Sequence, residues 1–362
     1  MKIALTHADL PNESKGGVAF QVHYLANALV DRGHDVTLFT FSPAWPECRY
    51  QVHSFPKPPA PLKRLYSFAL AARLARTDFG GFDVLHTNGD NFLLKRNGPC
   101  PQVRTFYGAA RDEADHAARL RRRLYQRLMA YLETRGARTA DIVVGISEAT
   151  RARIPAVTRV VPCGVDVGRF HPGPKFERPA VLFVGTAGGR KRGDFLADVF
   201  ARSVRPRFPD AELWAVADRP LAGENVVNFG KVPFETLADL YRRAWVFCLP
   251  STYEGFGVPY IEAMASGTAV VASPNPGARE VLENGRWGVL ASDATLGDDL
   301  YRLLNDAGER AHFAAQSLGR SRDFAWTRVA EQYERIYADA VERFGCRRAG
   351  TAAPSQALER AK

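Results

Sequence analysis

The sequence predicts an α/β protein built from two Rossmann-like domains, each a doubly wound parallel sheet. The chain has 362 residues, more than the roughly 250–300 at which one hydrophobic core stops growing. Short apolar runs alternate with helical patterns, as is typical of parallel sheets buried on both faces. A stretch rich in Pro and Gly, PCGVDVGRFHPGPKFERP (162–179), separates two such series and is typical of a linker.

The first series opens with the apolar strand KIALTH and the polar loop ADLPNESKGG. The helical pattern VAFQVHYLANALVDRG follows and ends at Gly33, before a second strand, HDVTLFTF. DVLHT (83–87) and DIVVGIS (141–147) supply later strands of the same buried type. We therefore expect an N-terminal domain over residues 1–168.

The second series has strands AVLFVG, ELWAVA, WVFCLPS and TAVVAS, alternating with helical stretches DFLADVFARSV, FETLADLYRRA and VPYIEAMAS. This pattern predicts a C-terminal domain over residues 169–322. The amphipathic stretch TRVAEQYERIYADAVERF predicts a last helix over residues 323–344, which we expect to cross back to the first domain. Residues 345–362 have too little apolar content to pack and are predicted to be disordered.

Composition excludes several classes of protein. Apolar residues make up 46% and charged residues 24% of the chain, which is ordinary for a globular protein. No apolar run reaches the roughly 18–20 residues needed to cross a bilayer, and the N-terminus turns polar too soon for a signal peptide. We therefore expect a cytoplasmic protein. Five cysteines without a C-x-x-C pair, and histidines without H-E-x-x-H, favour neither a disulfide framework nor a metal site.

The net charge of +10 lies almost entirely in the first half of the chain. Residues 1–172 contain 24 Lys and Arg against 15 Asp and Glu, which gives +9, and the remainder contains 25 against 24, which gives +1. Such a domain attracts anionic lipid, nucleic acid or phosphorylated substrates. The letters DEAD at 112–115 do not indicate a helicase, because G-x-x-x-x-G-K-[ST] is missing. We expect no nucleic-acid partner.

A glycine-rich turn between strand WVFCLPS and helix VPYIEAMAS is the strongest candidate site. Glu254 lies in the turn and Glu262 in the helix, and Pro259 occupies the first helical turn, where proline is favoured. The helix N-terminus favours an anion, and the carboxyl end of a parallel strand is the usual ligand position in such sheets. Carboxylates beside an anion site suit a ligand with both phosphates and hydroxyls, such as a sugar nucleotide. Two salt-bridged glutamates beside a structural loop remain the alternative.

Four stretches resemble the family 4 retaining glycosyltransferases, which have the GT-B fold of two facing Rossmann domains. These are KGGVAFQVHYLANALVDRGHDVTLFT (15–40), PCGVDVGRFHP (162–172), FVGTAGGRKRGDFLADVF (183–200) and STYEGFGVPYIEAMASGTAVVAS (251–273). The resemblance implies transfer of a hexose from a UDP- or GDP-sugar to a glycan or lipid-linked acceptor, in the biosynthesis of cell-surface polysaccharide such as lipopolysaccharide. It also implies retention of configuration by same-face attack, without a metal ion, and we find no convincing D-x-D pair of the kind used by metal-dependent enzymes.

The resemblance assigns roles to particular residues. Arg190 and Lys191 would neutralise the diphosphate, Glu254 would contact the donor sugar and Glu262 the ribose, although a third cation, Arg192, leaves the register of the basic pair open. Val232 would contact the base. The other residues expected at the donor are Gly16, Gly17, Gly185, Ser251, Gly255, Phe256, Gly257 and Val258.

The acceptor side departs from the family pattern. Many relatives have a histidine before a glycine in the segment that reads PQVRTFYGAARDEA (101–114) here, whereas this chain has Phe106 and Tyr107 before Gly108. Tyr107 either donates a hydrogen bond in place of the histidine or packs. The acceptor-side candidates are Asp9, His86, Asn88, Tyr107 and Arg111.

An arginine-rich helical pattern at residues 118–138 predicts a second interaction surface. Leu120, Leu124, Leu128 and Leu132 recur every four residues and most of the positions around them are Arg. The pattern indicates a helix able to lie on an anionic membrane. The alternative is a helix whose leucines pack on the sheet beneath a solvated basic face.

Three other functions compete for the whole chain. They are a GT-B sugar-nucleotide epimerase, a phosphorylase, for which nothing in the sequence argues, and a non-catalytic sugar-nucleotide binder.

Overall fold

A computed structural model of the protein describes residues 1–11, 16–59, 66–109 and 120–349, except for the side chains of residues 120 and 122. The chain forms two compact units, Met1–Pro162 with Val329–Lys362, and Cys163–Arg328. The first unit ends at Pro162 and not at the expected residue 168. The reason is that Cys163 and Val165 are buried, and Val165 pairs with Ala325 inside the second unit.

The first unit is a parallel sheet with helices, as the sequence predicts. Its described strands are β1 (Lys2–Thr6), β2 (Asp35–Thr40), β3 (Gln51–Ser54), β4 (Val84–Thr87), β5 (Gln102–Phe106), β6 (Ile142–Gly145) and β7 (Arg159–Val160). The helices that accompany them are α1 (Gly17–Asp31), α2 (Tyr66–Leu74), α3 (Leu120–Thr139) and α4 (Glu148–Arg153). The strand order is β3-β2-β1-β4-β5-β6-β7, with every pair parallel. The order reverses between β1 and β4, which is where such sheets bind ligands.

The second unit repeats this design. Its strands are β8 (Ala180–Gly185), β9 (Glu212–Ala217), β10 (Val226–Asn228), β11 (Val246–Leu249), β12 (Ala269–Ala272) and β13 (Val289–Leu290). Its helices are α5 (Gly193–Val199), α6 (Phe234–Arg243), α7 (Val258–Ala265), α8 (Pro276–Val281), α9 (Leu296–Asn305) and α10 (Ala307–Ser321). The strand order is β10-β9-β8-β11-β12-β13, so the reversal lies between β8 and β11.

The last helix, α11 (Trp326–Ala349), belongs to the first unit from Val329 onward. It is longer than the expected 323–344 helix at its end, and residues 345–349, which the sequence predicts to be disordered, form its last turn. Glu334 of α11 accepts hydrogen bonds from Arg32 and His34, which follow α1, at 2.5 and 2.7 Å. The helix is therefore fixed to the first unit by charge as well as by packing.

The packing of α11 overturns the expectation for His86. This side chain is fully buried, its Nδ1 lies 2.8 Å from the Tyr337 hydroxyl, and its Nε2 lies 2.8 Å from Thr105 Oγ1. Burial lowers the pKa of His86 to about 3, so the ring is neutral. With both nitrogens occupied inside the unit, His86 is a core residue and not an acceptor contact.

Helix α3 carries exposed apolar side chains. The sequence leaves packing of its leucines on the sheet as one reading, but Leu124 is 57% and Leu128 47% exposed, and Tyr131 is 66% exposed. The helix is buried at its C-terminal end, where Ala137 packs with Phe106 and its neighbours. Arg121, Arg123 and Arg127 are exposed beside the apolar row. Among the described residues no helix is both long enough and apolar enough to cross a bilayer.

Candidate functional site

Two loops of the second unit meet where its strand order reverses. One follows β8 and contains residues 186–192, and the other follows β11 and contains residues 250–257. The backbone N–H of Thr252 donates to the carbonyl oxygen of Arg190 at 2.9 Å, which ties the loops together. The cations of the first loop are thereby held against the carboxylate of the second.

Glu254 is the centre of this contact. It is only 5% exposed, and its Oε1 accepts from Ser251 Oγ at 2.8 Å and from Lys191 Nζ at 3.1 Å. Its Oε2 accepts from Arg190 at 3.3 Å, and the same guanidinium donates to the Tyr253 carbonyl at 2.8 Å. One buried carboxylate thus holds two cations, and the cluster keeps a net positive charge that suits a diphosphate.

The two cations differ in how they are held. The Arg190 side chain is 53% exposed, whereas that of Lys191 is 17% exposed. The Lys191 stem lies across Gly185 at the end of β8, where an added Cβ would come within 2.8 Å of Lys191 Cδ. Gly185 therefore leaves the space that Lys191 occupies, and the position of the ammonium group depends on it.

The third cation of the loop faces elsewhere. Arg192 has a left-handed backbone with φ of 60° and donates two hydrogen bonds to Asp293, at 2.8 and 2.6 Å. Its guanidinium also lies 3.9 Å from the ring centroid of Phe195. Arg190 and Lys191, and not Arg192, are therefore the pair that contacts Glu254.

Helix α7 begins at a glycine that no other residue replaces easily. Gly257 has φ of +96°, and an added Cβ would lie 2.3 Å from the Tyr260 ring. Pro259 occupies the first turn, as the sequence predicts. The turn therefore starts α7 four residues after Glu254, and the first backbone N–H groups of a helix are available to bind an anion.

Glu262 lies on α7 and is partly buried. Burial raises its pKa to about 7, and the neighbouring Tyr241 hydroxyl and the charge of Lys191 act in the opposite direction. The buried Tyr241 hydroxyl, which the sequence does not single out, comes from α6. The carboxyl group of Glu262 therefore changes its charge near neutral pH.

Asn275 and Gly277, at the start of α8, also hold the site and are missed by the sequence reasoning. Asn275 Nδ2 donates to the Ser251 carbonyl at 3.0 Å and to the Tyr260 hydroxyl at 3.1 Å. The Gly277 N–H donates to the Glu254 carbonyl at 3.0 Å, and an added Cβ there would meet Phe256 O at 2.4 Å. The Asn-Pro-Gly sequence, typical of a capped helix start, is the signal that marks this support.

The remaining candidates are distributed over both units. The Phe256 ring is buried and packs edge-on against Phe324, with centroids 5.7 Å apart, so its backbone alone is left to line a ligand. Val232 lies in the loop between β10 and α6 and is partly exposed. The other donor candidates of the second unit, Gly255 and Val258, flank Phe256 and Gly257 and are partly exposed. In the first unit, Gly16 precedes α1 and Gly17 begins it.

The acceptor-side candidates belong to the first unit. Asp9 follows β1, Asn88 follows β4 and Tyr107 follows β5, so all three stand at the carboxyl ends of neighbouring strands. Arg111 lies outside the described residues. The carboxyl edge of the first sheet therefore carries polar side chains, as the carboxyl edge of the second sheet does.

Comparison with known proteins identifies the fold and the family of the chain. Residues 15–169 match the family described as Glycosyltransferase Family 4, and residues 178–306 match the family described as Glycosyl transferases group 1. The sucrose-phosphate synthase of Thermosynechococcus elongatus superposes with a TM-score of 0.74 at 24% identity, over 93% of this chain and 98% of that one. The fold is therefore GT-B.

Two curated relatives extend over most of the chain. The phosphatidyl-myo-inositol mannosyltransferase of Mycolicibacterium smegmatis is 29% identical over 89% of this chain and 90% of the relative. A D-inositol 3-phosphate glycosyltransferase of Xylanimonas cellulosilytica is 27% identical over 91% of this chain and 93% of the relative. The protein belongs to the group 1 glycosyltransferases of family 4.

Proposed function

We propose that the protein transfers a hexose from a UDP- or GDP-linked donor to a hydroxyl of a glycan or lipid-linked acceptor, with retention of configuration and without a metal ion. The observation that carries this proposal is the contact of Arg190 and Lys191 with Glu254 at the reversal point of the second sheet. The two cations attract a diphosphate, and the buried carboxylate accepts hydrogen bonds from sugar hydroxyls.

The charges of the site suit cleavage of the bond between the sugar and the diphosphate. As that bond breaks, negative charge grows on the departing phosphate, and Arg190, Lys191 and the N-terminus of α7 stabilise it. The acceptor oxygen bonds to the anomeric carbon from the same face, and its proton passes to the departing phosphate. Configuration is then retained without a protein nucleophile. Glu254 orients the sugar and Glu262 the ribose hydroxyls.

Features of the first unit support a proposal for the acceptor and for the cellular location. Its excess of positive charge and the exposed Leu124, Leu128 and Tyr131 of α3 support docking on an anionic membrane. We place the protein in the cytoplasm, bound peripherally to the inner face of the membrane, where it extends a lipid-linked glycan of cell-surface polysaccharide, such as lipopolysaccharide. The relative named as a phosphatidyl-myo-inositol mannosyltransferase supports a lipid-linked acceptor.

Slow hydrolysis of the donor without acceptor tests the proposal. Purified protein is incubated with UDP-glucose, UDP-galactose, GDP-mannose or UDP-N-acetylglucosamine, with and without a chelator. The nucleoside diphosphate released, UDP or GDP, is then measured. We expect release of nucleoside diphosphate from one donor, undiminished by chelation, and a sugar that is first released as the same anomer as in the donor, as measured by NMR. Binding without release would identify a non-catalytic binder, and an altered sugar without acceptor would identify an epimerase.

A further inference from the structure

One buried tyrosine of the second unit carries a hydroxyl that packing alone does not explain. Tyr241 lies in the last turn of α6, and its side chain is fully buried. Its ring packs edge-on against the ring of Phe170, with centroids 5.7 Å apart, and lies 5.2 Å from the ring centroid of Phe247 in β11. Its backbone carbonyl accepts from Thr268 Oγ1 at 2.6 Å. The ring and the backbone are therefore both held in place, and packing decides where the hydroxyl lies.

The hydroxyl of Tyr241 neighbours the carboxyl group of Glu262 on α7. No other group in the described part of the chain donates a hydrogen bond to this hydroxyl or accepts one from it. A buried polar group without a partner costs free energy, and a phenylalanine would fill the same space without that cost. The presence of the hydroxyl is therefore accounted for by Glu262 and not by the packing of the ring.

The proton of Tyr241 stays on its oxygen at neutral pH. Burial raises the pKa of Tyr241 well above its usual value, and the nearby charge of Glu262 adds to that rise. A hydroxyl that keeps its proton donates to a carboxylate more strongly than to a protonated carboxyl group. Because the hydrogen bond is stronger when Glu262 is charged, the hydroxyl favours the ionised form of Glu262.

Few groups act on the charge of Glu262. Burial raises its pKa to about 7, and the Tyr241 hydroxyl and, to a smaller extent, the charge of Lys191 act against that rise. The other elements that pack against α7 are β12, α8 and α10. Among the described residues of these three elements, no charged or titratable side chain acts on Glu262. The Tyr241 hydroxyl is therefore the main group that keeps this carboxyl group ionised.

We propose that Tyr241 is a positioning residue for the donor, whose hydroxyl donates to Glu262 and holds this carboxyl group as a charged acceptor for the ribose hydroxyls. An ionised carboxylate has about four acceptor sites, so one bond from Tyr241 leaves enough of them for a diol. A protonated carboxyl group has fewer acceptor sites and a weaker attraction for O–H donors. The ribose contact rests on the proposed function, because it assumes a nucleotide-sugar donor, but the bond between Tyr241 and Glu262 does not.

Carbon-13 NMR of the full chain, labelled at the glutamate carboxyl carbons, measures the titration of Glu262 without donor. The Glu262 signal is the one that is missing in Glu262→Gln. The test variant is Tyr241→Phe, and Tyr337→Phe is the matched control, because Tyr337 is also fully buried and its hydroxyl is bonded to His86 in the first unit. A second variant places 3-fluorotyrosine at position 241, which keeps the hydroxyl and the fold and makes the hydroxyl a stronger donor. Donor KM is measured on the same proteins between pH 6 and pH 9.

We expect the Glu262 titration midpoint of Tyr241→Phe to lie about one pH unit above that of Tyr337→Phe and of the unaltered protein, and that of the fluorotyrosine protein to lie below it. Donor KM of Tyr241→Phe should be several-fold higher at pH 7.5 and should recover by pH 9, which a merely structural role would not produce. An unchanged midpoint in both variants at position 241 would overturn the proposal.

The two measurements separate this proposal from the proposed function. A shifted midpoint with a donor KM that does not follow it would refute the positioning role of Tyr241, while turnover of the donor would still support a transferase. Absence of turnover in the unaltered protein would refute the transferase function, and the midpoints alone would then decide whether Tyr241 controls the charge of Glu262.

Discussion

Lys191 and Arg190 share one carboxylate, but Lys191 is the more enclosed of the two. If its ammonium group stabilises the departing phosphate, its interaction strengthens as the bond breaks. We therefore expect Lys191→Ala to lower kcat for transfer by about 30- to 1,000-fold, or roughly 2–4 kcal/mol in barrier, with a smaller change in donor KM. Steady-state kinetics with varied donor measures both quantities.

Arg192→Ala is the matched control, because Arg192 is the next residue and is bound to Asp293 and Phe195 instead of Glu254. It removes the same charge from the same loop. We expect its kcat to stay within a few-fold of the unaltered protein. A Lys191→Ala effect confined to donor KM would show that this lysine contributes binding equally in the ground and transition states.

If Glu262 binds the donor ribose, donor recognition should depend on pH. Its pKa is raised to about 7 by burial, so the fraction that is ionised falls as the pH drops below 7. A protonated carboxyl accepts hydrogen bonds from ribose more weakly, and the donor KM should rise several-fold between pH 7.5 and pH 6. In Glu262→Gln, KM should be high and flat over that range. A flat profile in the unaltered protein would contradict a role for the Glu262 charge.

The residues that the sequence predicts best are those whose roles depend on local chain geometry. Glu254 and Lys191 each lie in a glycine-containing loop that follows a buried strand, β11 or β8, so their convergence follows from strand order. Tyr241 and Asn275 reach the site from other elements, and their orientation depends on packing that a single sequence does not reveal. His86 was predicted wrongly for the same reason, because its partner Tyr337 is far away in the chain.

Among the elements, two strands with continuous apolar runs were predicted to the residue. AVLFVG and ELWAVA correspond to β8 and β9 in full, because both are covered on their two faces and leave no ambiguity of period. Strand β5, QVRTF, was missed because it contains a buried Arg104. Strand β3, QVHS, was missed because it is a short edge strand with mostly polar, exposed side chains.

The start of α7 depends on one backbone conformation. Because Gly257 has φ of +96° and an added Cβ would collide with the Tyr260 ring, Gly257→Ala forces either the turn or the tyrosine to move. We expect it to lower the stability of the second unit by about 1–3 kcal/mol. Hydrogen–deuterium exchange of peptides from residues 250–265 measures the local opening free energy, and should show faster exchange.

Gly255→Ala serves as the control in the same loop. Gly255 has no positive φ, and an added Cβ would have only the Tyr253 hydroxyl within reach, at 4.0 Å. Its substitution should leave exchange over residues 250–265 nearly unchanged. Equal exchange in both variants would show that the α7 turn tolerates a side chain at either glycine, and that Gly257 is not required for the fold of the loop.

At the scale of the whole molecule, each unit has its reversal point at a pair of equivalent strands, β1 with β4 and β8 with β11. The second reversal point carries Arg190 and Lys191, and the first carries Asp9 and Asn88. The net charge of +9 over residues 1–172 does not come from the side chains at the first reversal point. The exposed arginines of α3 account for part of this positive charge. The charge is therefore better suited to contact with an anionic surface than to binding of the substrate.

Vesicle sedimentation tests whether that surface is a membrane. Replacement of Arg121, Arg123 and Arg127 by Gln removes three exposed charges, each worth about 1 kcal/mol near an anionic bilayer. Binding to phosphatidylglycerol vesicles should therefore fall on the order of a hundredfold. Replacement of Leu124, Leu128 and Tyr131 by Ser removes the apolar contact with the bilayer instead, and should weaken vesicle binding at every salt concentration. Only the arginine effect should shrink as salt rises.

A charge-matched variant, Arg73, Arg76 and Arg151 to Gln, changes exposed arginines elsewhere in the first unit. If attraction were a property of the overall charge, this variant and the Arg121, Arg123 and Arg127 variant would lose binding equally. If α3 is the docking surface, the matched variant should retain binding within a few-fold, because charges more than a Debye length of about 10 Å from the bilayer are screened. Failure of the unaltered protein to sediment with anionic vesicles at low salt would remove the membrane from the proposed function while leaving the donor chemistry intact.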